Sequence, residues 1–169
     1  SDETLWDENA FVQARYKKHF SSKWSLQAQA KYNYGWNRYE DEGKEYADGY
    51  YREHHRQDEY YLSATVLYHP LEPLTFSLAQ DGVINKLRNS LPECPFPIRY
   101  TSISALNARY QQDWFTAVAS LVHTATSEHV EQGNAPDNFH RFAPSFSVSL
   151  QPWQEETLFL RLMYKSTFR

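Results

Sequence analysis

A two-residue alternation between Trp24 and Trp36 constrains this chain more than any other feature. Trp24, Leu26, Ala28, Ala30, Tyr32, Tyr34 and Trp36 fall on one parity, while Ser25, Gln27, Gln29, Lys31 and Asn33 fall on the other. Successive side chains of a strand point to opposite faces, so the segment predicts a strand with one apolar and one polar face. A helix would scatter the same seven residues around its axis.

The pattern recurs. Tyr60, Leu62, Ala64, Val66 and Tyr68 alternate with Ser63, Thr65 and His69, although Tyr61 and Leu67 blur the polar side. Pro144, Phe146, Val148 and Leu150 alternate with Ser145, Ser147, Ser149 and Gln151, and Leu158, Leu160, Leu162 and Tyr164 alternate with Arg161 and Lys165. Weaker alternation covers Ala10–Phe20, Leu74–Gln80, Thr101–Tyr110 and Phe115–Ala125. The expectation is an all-β, antiparallel up-and-down meander of about eight strands, each near the ~9–11 residues that cross a bilayer obliquely.

The connections carry a second pattern. Ser21–Lys23, Pro70–Pro73, Gln111–Trp114 and Pro152–Glu156 read as short turns. Asn37–Glu59, Asp81–Arg99 and Thr126–His140 read as long loops, strictly in turn with the short ones. Successive connections of a meander lie at opposite ends of the sheet, so all short turns gather at one end. Outer-membrane barrels have this asymmetry. Trp24, Trp114 and Trp153 mark the short-turn end, and Tyr32, Tyr34, Trp36 and Tyr60 the other, as two belts of amphipathic rings.

Composition narrows the function classes. A net charge of −4 leaves no basic excess for a nucleic-acid backbone. The single cysteine, Cys94, forms neither an intramolecular disulfide nor a thiolate metal cluster. There is no apolar run of ~18 residues for a membrane helix. A mean hydropathy of −0.76 is compatible with a barrel, whose strands alternate and average low. A soluble antiparallel sheet with one packed and one wet face also alternates, and this all-β binding or structural domain is the competing reading. The test between them is whether the apolar parity of Trp24–Trp36 packs against a second sheet of the same chain.

The stretch Leu158-Phe159-Leu160-Arg161-Leu162-Met163-Tyr164-Lys165-Ser166-Thr167-Phe168-Arg169 resembles a barrel strand of TonB-dependent outer-membrane receptors of the Bacteroides type. Leu74-Thr75-Phe76-Ser77-Leu78-Ala79-Gln80-Asp81-Gly82 is similar to strands of the same family. The resemblance implies a wide barrel filled by a plug domain and located in the outer membrane. It also implies partnership with the TonB energy-coupling complex and uptake of a scarce extracellular ligand: a siderophore, haem, cobalamin or glycan. This chain then holds about eight wall strands and no plug, is not transport-competent alone, and self-associates through its open edges.

The stretch Asn37–Glu59 is the most charged. As a loop on a rigid scaffold it offers ligand contacts from Tyr39, Tyr46, Tyr50, Tyr51, Arg52, His54 and His55; a solvated loop of mixed charge is the plainer alternative. His54 and His55 are adjacent, so on a strand they point to opposite faces and do not share a metal. Glu40-Asp41-Glu42 lacks the ligand alternation of a calcium loop. Cys94, among Pro92, Pro95 and Pro97, has no neighbouring base in sequence. No nucleophile elbow or phosphate-cradling glycine loop occurs, so the expectation is no enzyme, no cofactor and no metal.

Overall fold

The computed structural model describes residues 3–46, 49–90, 97–131, 133–134, 136–151 and 158–166, with residues 42–46 and 49–51 described by backbone path alone. Cys94, Trp153, the turn Pro152–Glu156 and the run Thr167-Phe168-Arg169 lie outside them.

The strands are β1 (Glu3–His19), β2 (Trp24–Tyr46), β3 (Gly49–Leu71), β4 (Leu74–Asn89), β5 (Ile98–Gln112), β6 (Phe115–His129), β7 (Phe139–Leu150) and β8 (Leu160–Lys165). They form one antiparallel sheet in chain order. Two of the short turns have a local cause. Ser21 Oγ accepts from the backbone N–H of Lys23 and of Trp24, 3.2 Å each, closing the β1–β2 turn. Pro70, which has no N–H to give a ladder, sits where the β3–β4 register shifts between Tyr68 and Leu71. Neighbouring turns are tied by backbone bonds of 2.8 Å, from His69 N–H to Lys23 O and from Gln111 N–H to Pro73 O.

Register carries one face across the whole sheet. Trp24 pairs with Tyr68, Tyr68 with Phe76, Phe76 with Ala108, Ala108 with Ala119, Ala119 with Phe146, and Phe146 with Tyr164. The next row on that face is Leu26, Val66, Leu78, Leu106, Leu121 and Pro144. The opposite face holds Gln27, Thr65, Ala79, Ala105, Val122 and Ala143 in one row and Gln29, Ser63, Asp81, Ile103, Thr124 and Arg141 in the next.

The apolar face has no second layer. Among the described residues there is no buried hydrophobic side chain, and Leu62, Leu78, Leu106 and Leu162 are 64%, 56%, 53% and 70% exposed. Along β3, Tyr60, Leu62 and Ala64 are exposed while Tyr61, Ser63 and Thr65 are half-buried. Side chains on the inner side of a curved sheet shield one another, so the polar face is the inner one. The packing that the soluble reading needs, the apolar parity against another sheet of this chain, does not occur among the described residues. Where polar groups interrupt the apolar face they satisfy one another: Gln80 donates to Ser102 Oγ at 2.9 Å and accepts from Ser104 Oγ at 2.5 Å.

The three expected long loops are corrected. In place of a loop at Asn37–Glu59, β2 continues to Tyr46 and β3 begins at Gly49. Within Asp81–Arg99, β4 runs to Asn89 and β5 starts at Ile98; within Thr126–His140, β6 runs to His129 and β7 starts at Phe139. Beyond the tilted pair Tyr32–Tyr60, ring centroids 5.0 Å apart, both faces turn polar. Alternation vanishes from the sequence there while the backbone ladder persists. The asymmetry survives in another form, with strands overrunning at the end opposite the short turns.

The sheet does not close on itself: among the described residues β1 pairs only with β2 and β8 only with β7, and β1 is exposed along its whole length. Open edges recruit strands. The 169-residue polypeptide alone is expected to associate through β1 or β8. Light scattering in mild detergent checks this, and a monodisperse monomer with fast-exchanging amides in both edge strands would contradict it.

Candidate functional site on the polar face

The inner face gathers its chemistry in one row, just past the aromatic pair. Asn33 pairs with Glu59, Glu59 with Asn85, Asn85 with Arg99, and Arg99 with Glu128. Five strands thus present five polar side chains side by side on one face. Asn33 Nδ2 donates to Glu59 Oε1 at 2.5 Å, and Arg99 forms an ion pair with Glu128. Between these two bonded pairs, Asn85 Oδ1 is buried and accepts nothing among the described residues. A buried acceptor without a donor is costly, and it is a place where a bound group with an N–H or O–H gains.

Three hollows follow this row. One of about 280 Å³ lies against Asn9, Asn33, Gly35, Gln57 and Glu59. The next, about 310 Å³, shares Gln57 and Glu59 and adds Asn85, Leu87 and Arg99. The third, about 340 Å³, shares Arg99 and adds Thr101, Thr126, Glu128 and Asp137. Gly35 lets Asn9 approach closely, since a Cβ there would meet Asn9 Oδ1 at 3.3 Å. The shared residues make the hollows one trough crossing the sheet. Charges of both signs line it: Glu59, Glu128 and Asp137 with Lys86 and Arg99.

The expected site residues are not brought together. Tyr39 and His55 fall on the polar face, Arg52 and His54 on the opposite one, because register fixes parity. Arg52 pairs with Glu40 at 2.5 Å, and His55 Nε2 lies 2.6 Å from Glu53 Oε1. The backbone N–H of His54 donates to Ser90 Oγ at 3.0 Å. The side chains of Tyr46, Tyr50 and Tyr51 lie outside the described residues. No group of three or more His, Cys, Asp or Glu arranged for a metal occurs among the described residues. Sequence reasoning missed Asn33, Glu59, Asn85, Arg99 and Glu128, whose association depends on register across five strands. Their one visible signal is position, each a short way past a strand's apolar stretch.

The outward face at this end is an ion-pair network. Asp58 accepts from Arg56 Nε at 3.0 Å and from Tyr32 Oη at 2.6 Å. The Arg56 hydrogen bond, with that of Tyr32 and the Arg56 charge, holds the Asp58 carboxyl below its ordinary range against the opposing effect of burial. For Glu40, burial pushes upward, but the bonds and charges of Arg38 and Arg52 outweigh it and the carboxyl also sits low.

No family model and no curated protein sequence matches the chain. Solved structures do. The FrpB iron transporter from Neisseria meningitidis (F5-1 variant) superimposes with a TM-score of 0.73 at 13% identity, covering 86% of this chain and 26% of that one. The F3-3 variant of the same transporter gives 0.72 at 14% identity over the same shares. The copper transporter OprC gives 0.63 at 12% identity, covering 93% of this chain and 30% of its own. The chain has the fold of a transporter's β-sheet wall. It spans between a quarter and a third of the length of the transporters it matches.

The depressed carboxyls predict a pH effect of definite sign. A group with a lowered folded pKa contributes stability that is present above its unfolded pKa and lost as pH falls through the folded one. Protection in residues 52–58, that is exchange relative to the intrinsic rate at each pH, should therefore fall as pH drops below about 4, the unfolded carboxylate value. Asp58→Asn should exchange faster at neutral pH and respond less to acid. Exchange mass spectrometry checks both; protection that is flat with pH in the wild type would exclude the network as a stabiliser.

Proposed function

We infer that this chain is part of the barrel wall of a TonB-dependent outer-membrane transporter, with its polar trough facing the route of the cargo. The observation that carries the reading is the coreless sheet: apolar side chains exposed on one face and a hydrogen-bonded polar row on the other. Such a sheet has a physical rationale where lipid lies on one side and water or a plug on the other. The fold likeness to iron and copper transporters supports it, as does the Tyr164-Lys165 strand resemblance. Plug, energy-coupling complex and transport belong to a whole transporter, of which this chain supplies wall and trough.

The trough's charges of both signs and its unused acceptor suit a polar cargo that carries N–H or O–H groups, as siderophores and glycans do. Asn85 Oδ1 supplies an acceptor between Glu59 and Arg99. No catalytic step is needed, and we assign none.

Two outcomes test the reading. Leu106→Arg on the apolar face should cost ~2–4 kcal/mol of unfolding stability in phospholipid vesicles, with a smaller cost for the adjacent Ala105→Arg on the polar face. Equal costs would sink the assignment of faces. In cells on iron-limited medium, uptake of radiolabelled iron–siderophore should stop when the proton gradient is collapsed. Glu59→Leu with Asn85→Leu, which strip hydrogen-bonding groups from the trough, should slow it about tenfold, equivalent to about 1.4 kcal/mol of lost hydrogen bonding. Uptake that ignores both treatments would rule the transporter reading out.

A further inference from the structure

The outward face is apolar between its two aromatic belts, with one exception that transport does not use. From Trp24 and Tyr68 up to Tyr32 and Tyr60 it bears no Asp, Glu, Lys or Arg among the described residues. At mid-height, however, register gathers five polar side chains. Gln80 pairs with Ser104 and Ser104 with His123; one row further out, Ser102 pairs with Ala125 and Ala125 with His140. The Gln80 amide is spent on Ser102 and Ser104. The imidazoles are not spent. His123 and His140 stack on each other, ring centroids 5.8 Å apart and 9° from parallel, and His123 stacks on Phe142 at 4.5 Å. Neither ring makes a hydrogen bond among the described residues. A ring N–H turned toward hydrocarbon without an acceptor is costly, and polar side chains at membrane depth face protein far more often than lipid.

Beside the two rings lies a hollow of about 620 Å³ with His140 at its rim. Its floor is Gly82, Ser102 and Ala125, and Leu62 and Tyr100 wall it. A Cβ at Gly82 would find its nearest atom, Leu62 O, at 4.0 Å, so the space above the floor is open. Polar groups without partners and an open hollow together describe half of a contact.

The chemistry of the groups identifies the other half. Gln, Ser and His each donate and accept, so a patch built from them complements its own copy, whereas a patch of one charge would repel it. Two walls inserted the same way round in one membrane are related by a two-fold axis along the membrane normal. Every residue then meets residues at its own depth, so cluster meets cluster and each hollow receives bulky side chains that rim the other. A barrel of different sequence would have to carry matching groups at that same depth. The size is sufficient. Across β3–β7 the patch is about 19 Å wide at ~4.8 Å per strand, and from Tyr68 to Tyr60 about 26 Å long at ~3.3 Å per residue. Two such footprints sum to about 1,000 Å², the level a specific interface needs.

We propose that the outward face of β3–β7 docks within the membrane on a second copy of this chain, the His123 and His140 rings of each copy hydrogen-bonding to the polar cluster of the other. The proposal rests on the reading that the apolar face lies in the membrane. It is distinct from association through the β1 and β8 edges, which closure into a barrel removes.

Photo-crosslinking of the full chain in phosphatidylcholine vesicles, at high lipid-to-protein ratio, tests it. Leu106→benzoylphenylalanine, on the outward face beside the cluster, should give covalent dimers, and Ala105→benzoylphenylalanine, on the polar face, should not. His123→Leu with His140→Leu should lower the dimer yield at position 106 about tenfold, the loss of roughly one to two net hydrogen bonds. Gly82→Trp, which fills the hollow without meeting backbone, should lower it comparably while leaving circular dichroism unchanged. Equal yields at positions 105 and 106, or a yield unmoved by both variants, overturns the proposal and leaves edge association alone. Adducts to lipid without dimers overturn it as well. Quenching of Trp24 and Trp36 by brominated phosphatidylcholine separates the two readings. Quenching without dimers at position 106 rejects the docking only; no quenching rejects the membrane-facing surface itself.

Discussion

Everything in this chain depends on an antiparallel ladder whose register does not slip by a single residue from β2 to β8 through its central rows. Side chains alternate with a period of two, so a slip of one would carry every apolar residue of a strand to the wet side. The interruptions are confined to the ends, between Asp41 and Glu45 and between Tyr68 and Leu71. Between them, rows such as Leu26–Val66–Leu78–Leu106–Leu121 stay on one face across five strands. Residues far apart in sequence become neighbours only through this register, and both candidate sites are made that way.

The same ladder explains why the sheet reaches beyond its apolar part. Backbone hydrogen bonds need no greasy face, and opposite charges across strands replace apolar contact. Glu40 lies between Arg38 and Arg52, and Asp58 takes Arg56 and Tyr32 together. In the trough, Arg99 reaches Glu128 and Asn33 reaches Glu59. Those that cross strands, Glu40–Arg52, Tyr32–Asp58, Arg99–Glu128 and Asn33–Glu59, each contribute about 0.2–1 kcal/mol, which suffices to extend an existing ladder and would not nucleate one.

This sets how far the sequence could be read. Trp24–Trp36 and Tyr60–Tyr68 declared themselves because one face was apolar, and the short turns because Ser21, Pro70 and Pro73 have turn chemistry of their own. Asn37–Glu59 reads as a loop because both faces become polar there, and a period of two is visible only where the faces contrast. Of the residues expected to gather in that loop, Tyr39 and His55 fall on one face and Arg52 and His54 on the other for the same reason. Parity along one strand could have separated Arg52 and His54 from Tyr39 and His55 once the stretch was known to be extended. The trough could not have been found. Asn33 and Glu59 are 26 positions apart and Arg99 and Glu128 are 29, and no local rule links them without the register.

A sheet that has two built faces and no core is not complete as a folded unit in water. Leu62, Leu78, Leu106, Leu121 and Leu162 are all exposed, and burying such a side chain is worth about 1.5–3 kcal/mol. That stabilisation is withheld until hydrocarbon covers the face, and the ladder bonds of β1 and β8 are half-used until further strands join them. The polar face has the reverse requirement, because a dry neighbour would strand Gln29, Lys31 and Asp81 without water. Covering the two faces with the same medium therefore fails whichever medium is chosen. Only a boundary between oil and water satisfies both, and closure through added strands is the way such a boundary is built without exposed edges.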